Sequence, residues 1–184
     1  MEKRVPIIVE VSQGDFDTSD AQLIQAIGQH AVSSNEDKTS DASATDVGAV
    51  VSFIGKVRGT ERTVDAGRAN DNRESKRRLL ALKIEHYPEM TEASIRQICE
   101  QAARRWQLLG CLVIHRTGHL AVGENIVKVL VASEHRHDAF MASQFIMDYL
   151  KTEVPLWKKA VYSDGEHWIA VKASDAAPDA KWRN

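Results

Sequence analysis

Cysteine is scarce in this chain, with only Cys99 and Cys111 among 184 residues. The two fall in different expected elements and make neither a CxxC pair nor a zinc-ligand spacing, which argues against a disulfide scaffold and a structural zinc site. Neither thiol stands in a basic cap that would activate it, so a cysteine-borne sulfur carrier has no support. Long apolar runs are also missing. No stretch approaches the ~20 residues that a membrane helix needs. The opening MEKRVPIIVEVSQGDFD carries no long apolar core or small-residue cleavage site of a secretory signal. The expectation is a reduced, cytoplasmic chain with buried structural thiols and no membrane segment. An excess of one charge is absent as well, since 24 basic and 26 acidic residues leave a net charge of -2. A protein whose whole surface serves nucleic acid would be more basic. The signatures GxSxG, GxGxxG, P-loop and HExxH do not occur.

What is present suffices for one globular domain with a real core: 43% of residues are hydrophobic and 27% charged. Residues 4–11, RVPIIVEV, are rich in β-branched side chains and read as a strand. Ser19 or Asp20 caps a helix over AQLIQAIGQHAV. Residues 33–46 are polar and read as a surface loop. AVVSFIGKVRG, residues 49–59, is a strand ending at a glycine, and LLALKIEHY, residues 79–87, resumes strand character. Between them, residues 59–78 carry six basic and four acidic side chains and almost nothing apolar. This stretch is expected to be a long mobile loop. It lacks the aromatics on which RNA bases stack.

Pro88 breaks the strand, and Thr91 caps a helix over EASIRQICEQAARRWQ. CLVIHRTG, HLAVGE and NIVKVLVAS are three short strands with glycine turns. Ser133 and Glu134 open a further helix that runs to about Lys151. VPLWKKAVY and EHWIAVKA form a closing hairpin around Asp164-Gly165. Residues 1–172 read as a single domain and residues 173–184 as a loose tail. Strands grouped around two or three helices indicate an α+β domain.

The basic side chains fall into clusters that can carry chemistry. Lys151 ends an amphipathic helix and Lys158 follows a proline bend, with Val154, Pro155, Leu156 and Trp157 between them. Amines held against apolar surface are tunable toward base or nucleophile work. Phe145, Met147, Pro155 and Trp157 are the expected apolar wall. Lys56 and Arg58 share one strand face. His135-Arg136-His137 stands at a helix start, where free N–H groups favour anions. Taken singly, each cluster is more often an ordinary solvated charge. His135 and His137 are badly spaced for metal ligation on one helix face. His115 and His119 flank a turn and read as structural or surface residues.

The runs SFIGKVRG, LKIEHYPEMTEASI, IHRTGHLAVGE, VASEHRHDAF and QFIMDYLKTEVPLWKK resemble, in order, the large catalytic subunit of molybdopterin synthase. The resemblance spans about residues 47–172. It implies an α/β hammerhead fold with an additional small antiparallel β subdomain. It implies a homodimer of large subunits, each binding one small ubiquitin-like sulfur carrier, so a heterotetramer. The carrier's Gly-Gly tail ends in a thiocarboxylate, and its sulfur passes to cyclic pyranopterin monophosphate, giving the dithiolene of molybdopterin. Neither a metal nor a cofactor is implied. By position, the resemblance makes Lys151 the lysine beside the thiocarboxylate and Lys158 the second catalytic lysine. It makes Lys56, Val57 and Arg58, together with His135, Arg136, Lys159 and Ala160, substrate contacts, with His135 and Arg136 coming from across the dimer interface. The loop after Arg58 is longer than the family pattern and is assigned no site residue. A non-catalytic module that captures the carrier's tail is the alternative reading.

Overall fold

The computed structural model describes residues 5–33, 44–63, 75–169 and 181–182. In chain order its elements are β1 (Ile7–Ser12), α1 (Ala21–Ser33), β2 (Ala49–Lys56), β3 (Thr60–Thr63), β4 (Ser75–Arg78), β5 (Ala81–His86), α2 (Pro88–Arg105), β6 (Leu108–Arg116), β7 (Gly118–Ala121), β8 (Asn125–Ser133), α3 (Arg136–Thr152), β9 (Leu156–Tyr162) and β10 (Gly165–Trp168). A central sheet runs in the order β1-β6-β8-β2, parallel only between β1 and β6. A second, antiparallel sheet runs β10-β9-β5-β7. This is the mixed architecture expected, with an additional small antiparallel sheet beside the main one.

Every residue of β6 and β8 is buried because helices cover both faces of the central sheet. Alternation divides the core. Cys111, Val113, Val129 and Val131 pack with Ile95 and Cys99 of α2 and with Phe145 and Ile146 of α3. Leu112, Ile114, Leu130 and Ala132 face Leu23 and Ile27 of α1. Gly110 permits that approach: a Cβ there would lie 3.0 Å from Ile27 Cγ1. Each such aliphatic side chain contributes about 1.5–3 kcal/mol on full burial. Among the described residues no helix is long and apolar enough to cross a membrane.

Several boundaries differ from expectation for physical reasons. Pro88 opens α2 instead of only ending the strand, with Tyr87 at the N-cap, because proline's fixed φ and missing N–H suit a first helical turn. Thr91 is buried, and its hydroxyl donates to Pro155 O at 3.3 Å. His135, not Ser133 or Glu134, is the N-cap of α3. The long polar loop has paired ends: β3 and β4 form an antiparallel ladder from Thr60↔Arg78 to Thr63↔Ser75. Its middle, residues 64–74, lies outside the described residues, as does most of the expected tail. Trp182 of that tail is not loose. It is buried, with ring centroids 5.7 Å from Trp106 and 5.4 Å from Phe145, and its Nε1 donates to Asp148.

Candidate active site

Register in the second sheet separates two adjacent lysines. Lys158 stands opposite Ile84, and Ala160 opposite Leu82. Ile84, Leu82 and Ala160 are all buried, so Lys158 and Ala160 share the inward face of β9. Lys159 takes the outward face. Its Nζ donates to Glu85 Oε1 at 2.8 Å and lies 4.1 Å from the centre of the Trp168 ring. That hydrogen bond, helped by the Lys159 and Lys83 charges, holds the Glu85 carboxyl below its ordinary range. Lys158 and Lys159 therefore belong to different surfaces, although they are neighbours in sequence.

Lys151 lies in the last turn of α3, exposed, where the carbonyl end of the helix dipole favours a cation. The short connection 153–155 joins it to β9 and Lys158. The expected apolar wall is divided. Phe145 points into the aromatic cluster with Trp106, Tyr149 and Trp182. Trp157 lies outward, edge-on to Tyr87 at 6.4 Å. Met147 and Pro155 are half-buried.

Lys56, Val57 and Arg58 leave the end of β2 in a fixed conformation. The Val57 side chain is buried, its N–H donates to Glu124 O at 2.9 Å, and its carbonyl accepts from Gly123 N–H at 2.9 Å. With Val57 pinned inward, Lys56 and Arg58 are held exposed on either side of it. The preceding Gly55 is required by a close approach, since a Cβ there would lie 2.8 Å from Val127 Cγ1.

α3 packs back along β8 and β2. Its C-terminal end, with Lys151, is therefore directed toward the end of the sheet where Lys56 pairs with Asn125. His135 and Arg136 stand at the other end, beyond the Ala49↔Ser133 pair. Fifteen residues of helix separate Arg136 from Lys151, about 22 Å at 1.5 Å per residue. One chain thus gathers Lys56, Arg58, Lys151 and Lys158 at one end and holds His135 and Arg136 at the opposite end.

His115, expected from the sequence to be a structural or surface residue beside a turn, is a buried neighbour of Lys158. It is buried near the end of β6. Its Nδ1–H donates to Arg116 O at 2.8 Å, which leaves Nε2 as an acceptor. Burial, then the nearby Lys158 charge and that of His86, lowers its pKa to about 4. The position of His115 directly after the apolar run Leu112-Val113-Ile114 was the signal in the sequence. The cysteines carry no comparable chemistry. Cys99 and Cys111 are both buried, and their mutual hydrogen bond, together with burial, pushes the Cys111 thiol well above its ordinary value. Among the described residues no group of three or more His, Cys, Asp or Glu is arranged to hold a metal ion.

Comparison with known proteins agrees with this architecture. The family model described as MoaE protein matches residues 27–153. A molybdopterin synthase catalytic subunit from Haemophilus ducreyi is 44% identical over 137 residues, covering 74% of this chain and 82% of the relative. The subunit of the same name from Brucella melitensis is 36% identical over 179 residues, covering 96% of this chain and 91% of the relative. The solved molybdopterin biosynthesis MoaE protein of Burkholderia ambifaria superposes with a TM-score of 0.65 at 32% identity, over 97% of this chain and 99% of that one. With a family match over more than half its length and relatives of this identity along most of theirs, the chain belongs to the MoaE family, whose curated relatives here are catalytic subunits of molybdopterin synthase.

Proposed function

We propose that this chain transfers sulfur from the C-terminal thiocarboxylate of a small ubiquitin-like carrier to cyclic pyranopterin monophosphate, and that it does so in the cytoplasm as a homodimer, a heterotetramer with two carriers. The observation that carries this reading is the division of cations along α3. Lys151 stands at one end with Lys158, Lys56 and Arg58, while His135 and Arg136 stand about 22 Å away. A single chain cannot close those groups around one small phosphorylated substrate. A second copy can, by bringing its own α3 N-terminus to the first copy's lysines, and an isologous dimer makes two such sites.

The chemistry suits the residues. The cyclic phosphate is anionic and takes charge-assisted hydrogen bonds from Arg58, Arg136, His135 and Lys56. Val57 and Ala160 contribute backbone and shape, since both side chains are buried. Each of the two dithiolene sulfurs arrives from its own thiocarboxylated carrier in two steps. The thiocarboxylate sulfur first attacks a side-chain carbon of the pterin and displaces its oxygen substituent, which leaves with the bonding electron pair and takes up a proton. Water then opens the resulting thioester, leaving the sulfur on the substrate and a free carboxylate on the carrier. Negative charge develops on the carbonyl oxygen in that second step. The Lys151 ammonium, beside the incoming tail, stabilises it, and Lys158 on the inward face exchanges protons with the substrate. Lys159, committed to Glu85 on the other face, acts by holding β9 in register so that Lys158 points inward.

The test is reconstitution with thiocarboxylated carrier and cyclic pyranopterin monophosphate, followed by detection of the dithiolene product. Lys151→Ala is expected to lower turnover by about a hundredfold or more while the thermal melt stays close to that of the wild type. Normal turnover by that variant would remove Lys151 from the catalytic role.

A further inference from the structure

Lys56 does not leave its strand unsupported. Its Nζ donates to Asn125 Oδ1 at 2.7 Å, and Asn125 Nδ2 donates to Asp15 Oδ1 at 3.1 Å. Arg116, whose side chain is 8% exposed, sets Nη1 3.6 Å from the same Asp15 oxygen and Nη2 3.5 Å from Glu124 Oε2. The amide's orientation is dictated by its partners, because a lysine can only donate and a carboxylate can only accept. An irregularity in the β2–β8 ladder makes the contact possible. Gly55 pairs with Val127 but Lys56 with Asn125, so the register skips Ile126. Without that shift Lys56 would lie beside a buried isoleucine.

The residue type at this position decides what Lys56 can do. A carboxylate at 2.7 Å would pair with the ammonium and compete with any anion arriving from solvent. An amide fixes the direction of the ammonium without cancelling its charge. The nearby negative charge, Asp15, is itself engaged. Asn125, the Phe16 N–H and Arg116 hold its carboxyl below the ordinary range, with the Lys56 charge adding the smallest contribution. The segment bearing Asp15 is tied down independently, through Gln13 O to Arg116 and through Asp17 O and Ser19 O to the buried Lys128. None of these tying residues belongs to the cation set of the proposed reaction.

We infer that Asn125 is a positioning and specificity-determining residue, an oriented amide, braced by Asp15 and Arg116, that presents Lys56 as a cation still available to the anionic group of the substrate. This rests on the functional reading above and assigns a role within that same site. A carboxylate in place of Asn125 selects against an anionic substrate, and loss of the amide leaves Lys56 unaimed. Both changes act on substrate binding more than on the chemical step.

The experiment measures KM and kcat for cyclic pyranopterin monophosphate with saturating thiocarboxylated carrier, in the wild type and in the N125D, N125A, K56A, K56A/N125D and K56A/N125A variants, with thermal melts as the check on folding. N125D is expected to raise KM about tenfold with kcat within about twofold. N125A adds no charge and has no carboxylate to desolvate if N125D fails to fold; it is expected to raise KM about threefold. In the K56A background N125A changes KM no further, because it acts through Lys56, and N125D raises KM by a smaller factor than in the wild type, because only the direct repulsion between its carboxylate and the anion remains. A KM unmoved by either variant overturns the inference. So does a rise of the same factor with and without Lys56, which would mark a merely structural residue. Absence of turnover by the wild type overturns the functional reading itself, and the role of Asn125 with it, whereas turnover with an unmoved KM overturns only the latter.

Discussion

At the scale of single residues, His115 gives the most specific consequence. Its folded value of about 4 lies below the ordinary 6.5 because burial and the Lys158 charge disfavour the imidazolium. The unfolded chain therefore binds a proton that the folded chain refuses. Stability from this group is fully present above about pH 6.5 and is lost as pH falls toward about 4, by about 3 kcal/mol in all. The lowered carboxyls Asp15, Asp17 and Glu85 act in a more acid range. Denaturant unfolding at pH 7 and pH 4.5 is expected to show a large stability gap in the wild type and a much smaller one in His115→Gln. Equal gaps would contradict the assignment. Lys151 and Lys158 were visible in the sequence as amines flanking a bend. That Lys158 and Lys159 part company was not, because the face a strand residue takes depends on which neighbour strand is buried, and here that is settled by Ile84 and Leu82 of β5.

At the scale of elements, long apolar patterns transferred well into structure and polar ones did not. β6 and β8 were legible because helices on both faces demand strands that are apolar along most of their length, broken in the middle of β8 only by the buried Lys128. The closing hairpin was legible from Asp164-Gly165, where Gly165 adopts a φ of 133°. The β3–β4 ladder was hidden, since a pair joined through backbone hydrogen bonds has no need of an apolar periodicity. The docking of Trp182 was hidden for a different reason: a single aromatic in a polar tail carries no pattern, and its pocket among Trp106, Phe145 and Asp148 comes from two separate helices. Arg105 adds a hydrogen bond to Trp182 O at 2.7 Å. Trp182→Ala is expected to lower unfolding stability by about 3 kcal/mol, read from urea denaturation, and to loosen the packing of α2 against α3. A change below about 0.5 kcal/mol, the size typical of surface substitutions, would show that the chain end contributes nothing to the core.

At the scale of the whole molecule, the proposed mechanism rests on the placement of cations on α3. A helix of this length, fixed along β8 and β2, keeps its two charged ends apart in every copy. In the proposed reaction the site is completed when the α3 N-terminus of one copy meets the lysines of another. The sequence could name both clusters but not the distance between them, which depends on α3 being one unbroken helix. The direct measurement is complementation. Lys151→Ala and Arg136→Ala are each expected to be nearly inactive alone. Co-expressed in equal amounts, half of their dimers are mixed, and each mixed dimer has one site with both residues intact, so activity returns to about a quarter of the wild-type level. A mixture no more active than its better single component, while mixed dimers are shown to form, would contradict a site shared between two copies.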